Sequence, residues 1–136
     1  MLSGARLGRA GEGQPQLPRR GGALRPLSAA GWHFPVEAVA ARIGDDRFHY
    51  ALRHGSMKIG LYAPRGEDPQ EPHQQDELYI IVSGRGSFVK NGDRVAVGPQ
   101  DALFVEAGAA HRFEDFSDDF AAWVIFWGPS GGETDT

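Results

Sequence analysis

Two stretches of this 136-residue chain gather side chains that bind metal ions: Glu71-Pro-His73-Gln-Gln75-Asp76-Glu77 and Gly108-Ala-Ala-His111. Alternate residues of an extended strand point the same way. Glu71, His73, Gln75 and Glu77 therefore face one interior if the chain there is extended. A histidine and a carboxylate aimed into an apolar enclosure are costly to bury without a partner, and a divalent cation is such a partner. His111, on a separate strand, is the third candidate, because antiparallel pairing brings distant positions together. Two imidazoles and one carboxylate make a facial set that leaves positions for water, dioxygen or substrate. Taken singly, each residue also fits a plain role, Glu77 at an exposed strand start and His111 at a strand edge. Tyr79 shares the parity of Glu77. It is expected beside the metal, either as a core aromatic whose hydroxyl finds a partner or as a group that binds a substrate oxygen or donates a proton. The chain has no cysteine, so disulfides, thiol nucleophiles and cysteine-held zinc are excluded.

The elements that must position these residues read as strands. Arg47–His54 alternates, with Phe48, Tyr50 and Leu52 on one face, and Ser56–Ala63 follows with Met57, Ile59 and Leu61 in step. Residues 64–72 form a loop by their proline and glycine content. Glu77–Ser83 is a strong strand ending at Gly84-Arg85-Gly86. Ser87–Lys90 and Arg94–Val97 flank Asn91-Gly92, a hairpin signal. Ala102–Glu106, Ala110–Asp115 and Phe120–Trp127 complete the set, the last apolar on both faces as a buried strand would be. The segment Val36–Gly44 fits a short helix or an irregular strand. Many short strands with regular turns predict an all-β sandwich or barrel. Phe113 and Met57 are candidate pocket-lining residues. Trp123, Phe126 and Trp127 are read as core, and His33, His49 and His54 lack a carboxylate at ligand spacing.

The stretch from Glu71 to Gly84 resembles the first motif of the cupins, H-x-H, three or four residues, E, six residues, G. His73, Glu77 and Gly84 match it. The second motif, G-x5-P-x-G-x2-H-x3-N, resembles the run from Gln100 to Asp115, with Gly108 and His111 in place. Fifteen residues separate Gly84 from Gln100. The departures are Glu71 for the leading histidine, Gln100 for glycine, Glu106 for proline and Asp115 for asparagine. The resemblance covers about residues 45–128. It implies a double-stranded β-helix, or jelly-roll barrel, with one divalent ion (Fe, Mn, Zn or Ni). His73, Glu77 and His111 would be the ligands. Glu71 or Gln75 would complete the shell, Glu71 preferred because it occupies a ligand position of the motif. A metal-dependent oxygenase, isomerase or lyase acting on a small organic acid or enol is the function so implied. A small-molecule sensor without turnover is the alternative, although no DNA-binding helix-turn-helix accompanies it. Single-barrel cupins often pair, so a homodimer is expected.

Composition sets the outer limits. Nineteen glycines and nine prolines suit turns between strands better than a helical bundle. Residues 1–30 carry five arginines against Glu12 alone, and the remainder has nine basic and seventeen acidic residues. An acidic folded part argues against a nucleic-acid groove, which needs clustered Lys and Arg. Residues 1–31 are expected to be a disordered basic extension, with organellar targeting or an upstream start codon as other readings of the same stretch. The barrel is expected over residues 32–130 and a flexible tail over 131–136. No apolar run suits a membrane span or a secretory signal, and the expected location is the cytoplasm.

Overall fold

In the computed structural model, which describes residues 31–134, one short helix precedes eight strands. They are α1 (Val36–Ala40), β1 (Phe48–His54), β2 (Met57–Tyr62), β3 (Asp76–Ser83), β4 (Gly86–Lys90), β5 (Asp93–Val97), β6 (Ala102–Val105), β7 (His111–Glu114) and β8 (Ala121–Trp127). A five-stranded sheet runs in the order β1-β2-β8-β3-β6, and a three-stranded sheet in the order β5-β4-β7. Every pairing is antiparallel. The all-β jelly-roll barrel read from the sequence is what forms. The basic extension falls outside the described residues apart from Gly31. Among the described residues no helix is long and apolar enough to cross a membrane.

Cross-strand rows define the interior face of the large sheet. Lys58, Phe126, Glu77 and Val105 form one row across β2, β8, β3 and β6. Gly60, Val124, Tyr79 and Leu103 form the next, and Tyr62, Ala122 and Ile81 the third. Phe88 and Phe113, paired across β4 and β7, close the core from the small sheet. The Phe113 ring stands 5.0 Å from Tyr79 and 4.7 Å from Phe120. Burial of each such side chain contributes roughly 1.5–3 kcal/mol. His111 lies on the same inward parity as Phe113, while Arg112 between them is exposed.

Some expected alternations invert. The β1 register slips between Tyr50 and Leu52, so Tyr50 pairs with Gly60 while Leu52 pairs with Ile59. This extra residue turns Leu52 away from the face that holds Phe48 and Tyr50. In β2 the apolar set Met57, Ile59 and Leu61 points outward, and Lys58, Gly60 and Tyr62 point in. Met57, a candidate pocket-lining residue from the sequence, therefore points away from the pocket. Part of the outer face, around Leu61, is covered, because α1 rests on β1 and β2. Leu61, Ala38 and Val39 are buried there, outside the interior cluster. The segment that fits either helix or strand becomes the helix α1, and the Pro35 carbonyl accepts its first backbone bonds from Ala38 and Val39. At Gly60 a Cβ would lie 2.5 Å from Cζ of Phe48, so only glycine lets that ring fold over β2.

Residues 131–133, which the sequence places in the tail, make hydrogen bonds to the segment at the start of β3. Gly131 N–H donates to the Gln74 carbonyl (2.7 Å) and Glu133 N–H to Asp76 Oδ2 (2.8 Å). Glycine and acid content signal a loose end only where no acceptor waits, and here the start of β3 supplies two.

Gly84 ends β3 with a φ of +82°, and a Cβ there would come within 2.6 Å of the Phe120 Cα. The left-handed backbone alone costs a larger residue roughly 1–2 kcal/mol. Gly84→Ala is expected to lose more than about 2 kcal/mol in a urea titration. An unchanged midpoint would contradict this geometry.

Candidate metal centre

Glu77 occupies the inward row of β3 and is fully buried, flanked in its row by Phe126 and Val105. His111, at the start of β7, reaches it from the opposite sheet, its Nε2 3.2 Å from Glu77 Oε1. His73 precedes β3 and approaches from the loop, its Nε2 3.8 Å from the same oxygen. The imidazole rings of His73 and His111 are 5.4 Å apart, and the His73 ring meets Phe126 edge-on at 5.0 Å. Each of the three offers one ligand atom, and these atoms lie within 4.8 Å of one another.

This cluster is short of hydrogen bonds. Both carboxylate oxygens of Glu77 and Nε2 of His111 are buried without a hydrogen-bond partner. Leaving a carboxylate in that state costs several kcal/mol. The Ala109 carbonyl accepts from His111 Nδ1 (2.9 Å), which leaves Nε2 as the lone-pair nitrogen aimed at Glu77. Burial pushes the His111 pKa down, but the Glu77 carboxylate and the Ala109 carbonyl outweigh it and hold the ring above its usual value. Burial dominates at His73, whose pKa is lowered although Glu77 pulls the other way. Two nitrogens and one oxygen converging with free lone pairs suit Fe, Mn, Zn or Ni. The residues present thus fit a divalent cation.

The other expected ligands fall elsewhere. Glu71 is exposed and stands apart from the cluster. Gln75 spends its amide Nε2 on the carbonyls of Ser56 (2.8 Å) and Gly128 (2.9 Å), pinning the segment to the turns beside β2 and β8. The shared parity of residues 71–77 fails because β3 begins only at Asp76 and the chain bends at Gln74 and Gln75. Tyr79 is fully buried under the site and donates its hydroxyl to Gln70 Oε1 (2.8 Å). Burial first, then the nearby Glu77 charge, keeps that hydroxyl protonated far above neutral pH. The trio joins a cavity of about 500 Å³ through His73, and Phe48, Tyr50, Lys58, Gln70 and Phe126 are among its walls. Tyr79 and Phe113 are not, so any effect of Tyr79 on a bound molecule passes through Gln70.

Three residues escaped the sequence reading. Asp68, in the loop before β3, is buried and accepts from Tyr62 Oη (2.5 Å), Gln70 N (3.2 Å), Gln70 Nε2 (2.8 Å) and Phe113 N (2.8 Å). Burial and the Asp68 carboxylate together raise the Tyr62 pKa far out of the working range. Gln70 lies against His73, and Lys58 sits in the row of Glu77 with Nζ 5.3 Å from the Phe126 ring centre. Lys58 carried the one readable signal, a polar residue in step with Gly60 and Tyr62. The loop residues carried none.

Comparison with known proteins agrees with this architecture. The family model for the Cupin domain matches residues 59–127. An uncharacterised protein of Streptomyces coelicolor is 37% identical over 96 residues, covering 68% of this chain and 91% of that protein. A Rhizobium leguminosarum protein of unknown function superposes with a TM-score of 0.60 at 19% identity, covering 71% of this chain and 96% of that one. The DMSP lyase DddQ of Ruegeria pomeroyi superposes with a TM-score of 0.52 at 24% identity, over 64% of this chain and 51% of that one. Both structural likenesses concern the fold.

A divalent ion at a hundred times its Kd should stabilise the EDTA-treated chain by about 2.7 kcal/mol. Thermal denaturation with and without Mn²⁺ or Zn²⁺ measures this. Glu77→Gln is expected to abolish most of the shift, and an equal shift in both proteins would place the ion elsewhere.

Proposed function

Since the chain belongs to the Cupin domain family, we propose that it is a metal-dependent enzyme acting on a small organic acid or its enol, with His73, Glu77 and His111 as the ligands. The observation that carries this reading is the Glu77 carboxylate, buried without a hydrogen bond between two imidazoles at the side of an open cavity. A bound ion would supply Lewis acidity towards a substrate carbonyl or enolate, or with iron the activation of dioxygen. Isomerase, lyase and oxygenase chemistry all draw on those properties.

The chain's own residues account for the choice of an acid. Lys58 points inward beside Phe126, and no ion pair among the described residues involves it. An ammonium group beside Phe48, Tyr50 and Phe126 attracts a carboxylate, and the charge-assisted bond is strengthened where those rings limit water. A carboxylate held at Lys58 leaves the rest of a small substrate facing His73. Glu77 and His111 stay behind His73 as buried ligands. Tyr79 Oη keeps its proton and gives it to Gln70 Oε1 as a hydrogen bond, fixing the amide that faces the cavity.

A homodimer belongs to the same reading. The outer face of the large sheet carries Ile59, Ile125, Leu78 and Phe104 in one cross-strand row, with Trp123, Ile80 and Trp127 beside it. Phe104 is 50% exposed. A contiguous apolar surface of this kind favours a second copy over water.

Two measurements follow. Calorimetric titration of the metal-loaded chain with pyruvate, as a probe carboxylate, should weaken about tenfold or more in Lys58→Gln, in keeping with a charged hydrogen bond of roughly 1.5–3 kcal/mol. Equal affinity in both proteins, or equal affinity for the methyl ester, would remove Lys58 from the reading. Light scattering at micromolar concentration is expected to give a dimer mass, shifted to monomer by Phe104→Glu. A monomeric parent protein would end the dimer proposal.

A further inference from the structure

We propose that Gln70 supplies the fourth protein ligand of the metal centre through Oε1, filling the place that Glu71 leaves open. The inference rests on the metal reading given above. Its first support is distance. Gln70 Oε1 lies 3.2 Å from His73 Nε2, the same separation that His111 Nε2 keeps from Glu77 Oε1. Donor atoms about 2.0–2.2 Å from one ion stand roughly 3.0–3.5 Å apart when adjacent. Gln70 therefore already holds the spacing of a neighbouring ligand.

Orientation is the second support. Asp68 takes the Gln70 Nε2–H at 2.8 Å and the Gln70 backbone N–H at 3.2 Å. Asp68 is itself held by Tyr62 and by the Phe113 N–H, so the amide cannot flip without leaving a buried carboxylate short of donors. The oxygen is consequently the end presented to His73. Donation from Nε2 to a carboxylate also raises electron density on Oε1, which makes the oxygen a better ligand.

Lone-pair accounting gives the third. A carbonyl oxygen has two lone pairs. Tyr79 takes one, at 2.8 Å. The other faces His73 Nε2, the nitrogen that this reading gives to the metal. A cation between them would be shared by both atoms. Because glutamine is neutral, a set of two histidines, Glu77 and Gln70 leaves a divalent ion with one net positive charge, suited to an anionic substrate. A carboxylate at the same place would cancel it.

The test uses the full-length chain and Co²⁺. Affinity is measured by competition with a chelator for the parent protein, Gln70→Ala, Gln70→Glu, Glu71→Ala and His111→Ala. Gln70→Ala is expected to weaken Co²⁺ binding roughly 10–100-fold, with Gln70→Glu restoring it, Glu71→Ala neutral and His111→Ala the most damaging. A crystal structure of the Co²⁺-loaded protein, with the ion placed by its anomalous signal, should put Oε1 about 2.0–2.2 Å from the metal. Parent affinity in Gln70→Ala, or an Oε1 more than about 3 Å from the ion, overturns the assignment while leaving the three-residue centre intact. A parent protein that binds no Co²⁺, or whose binding survives His111→Ala, overturns the centre itself.

Discussion

A carboxyl group buried with no hydrogen-bond partner for either oxygen is the constraint on which this molecule turns. Glu77 sits on the inward face of a central strand, between Phe126 and Val105, with both oxygens unpartnered. A hydrophobic residue there would pack at no electrostatic cost. A polar group there makes sense only if a partner is brought to it, and the fold brings two imidazoles from different directions. One comes from the opposing sheet, its tautomer fixed by the Ala109 carbonyl, and the other from the loop ahead of the strand. The rest of the barrel gives these three side chains a rigid frame of packed aromatic rings.

Asp68 performs the matching task for the loop. A segment rich in proline and glycine ordinarily runs loose over the surface. Here one buried carboxylate ties it to Tyr62 on β2 and to the backbone of β7, and at the same time orients Gln70. The loop becomes a wall of the cavity. The two buried acids act in contrast: Asp68 is fully supplied with donors and holds structure, whereas Glu77 is left without any.

The sequence made the strands legible because most alternate cleanly or end at glycine, and the hairpin at Asn91-Gly92 carries its turn chemistry openly. The convergence of His73, Glu77 and His111 was legible from spacing and family pattern together. Glu71 and Gln75 were not, because parity holds only within a strand and the chain bends before β3. The departures Gln100 and Asp115 fall where the backbone is left-handed, with φ of 74° and 52°, which is why glycine and asparagine suit the motif at those places. The inward and outward sides of β2 were misread because a helix covers the outer side, a tertiary fact that periodicity cannot encode. Asp68 and Gln70 gave no local signal at all, since their partners lie on other elements.

The tether at the far end of the chain links two regions that look unrelated in sequence. Gly131 and Glu133 fasten to Gln74, in the bend that follows His73, and to Asp76 just after it. The C-terminal segment thus works as a rein on that bend. A fused partner or a truncation that pulls on residues 131–133 would therefore bear on the segment that holds His73 without touching His73 itself.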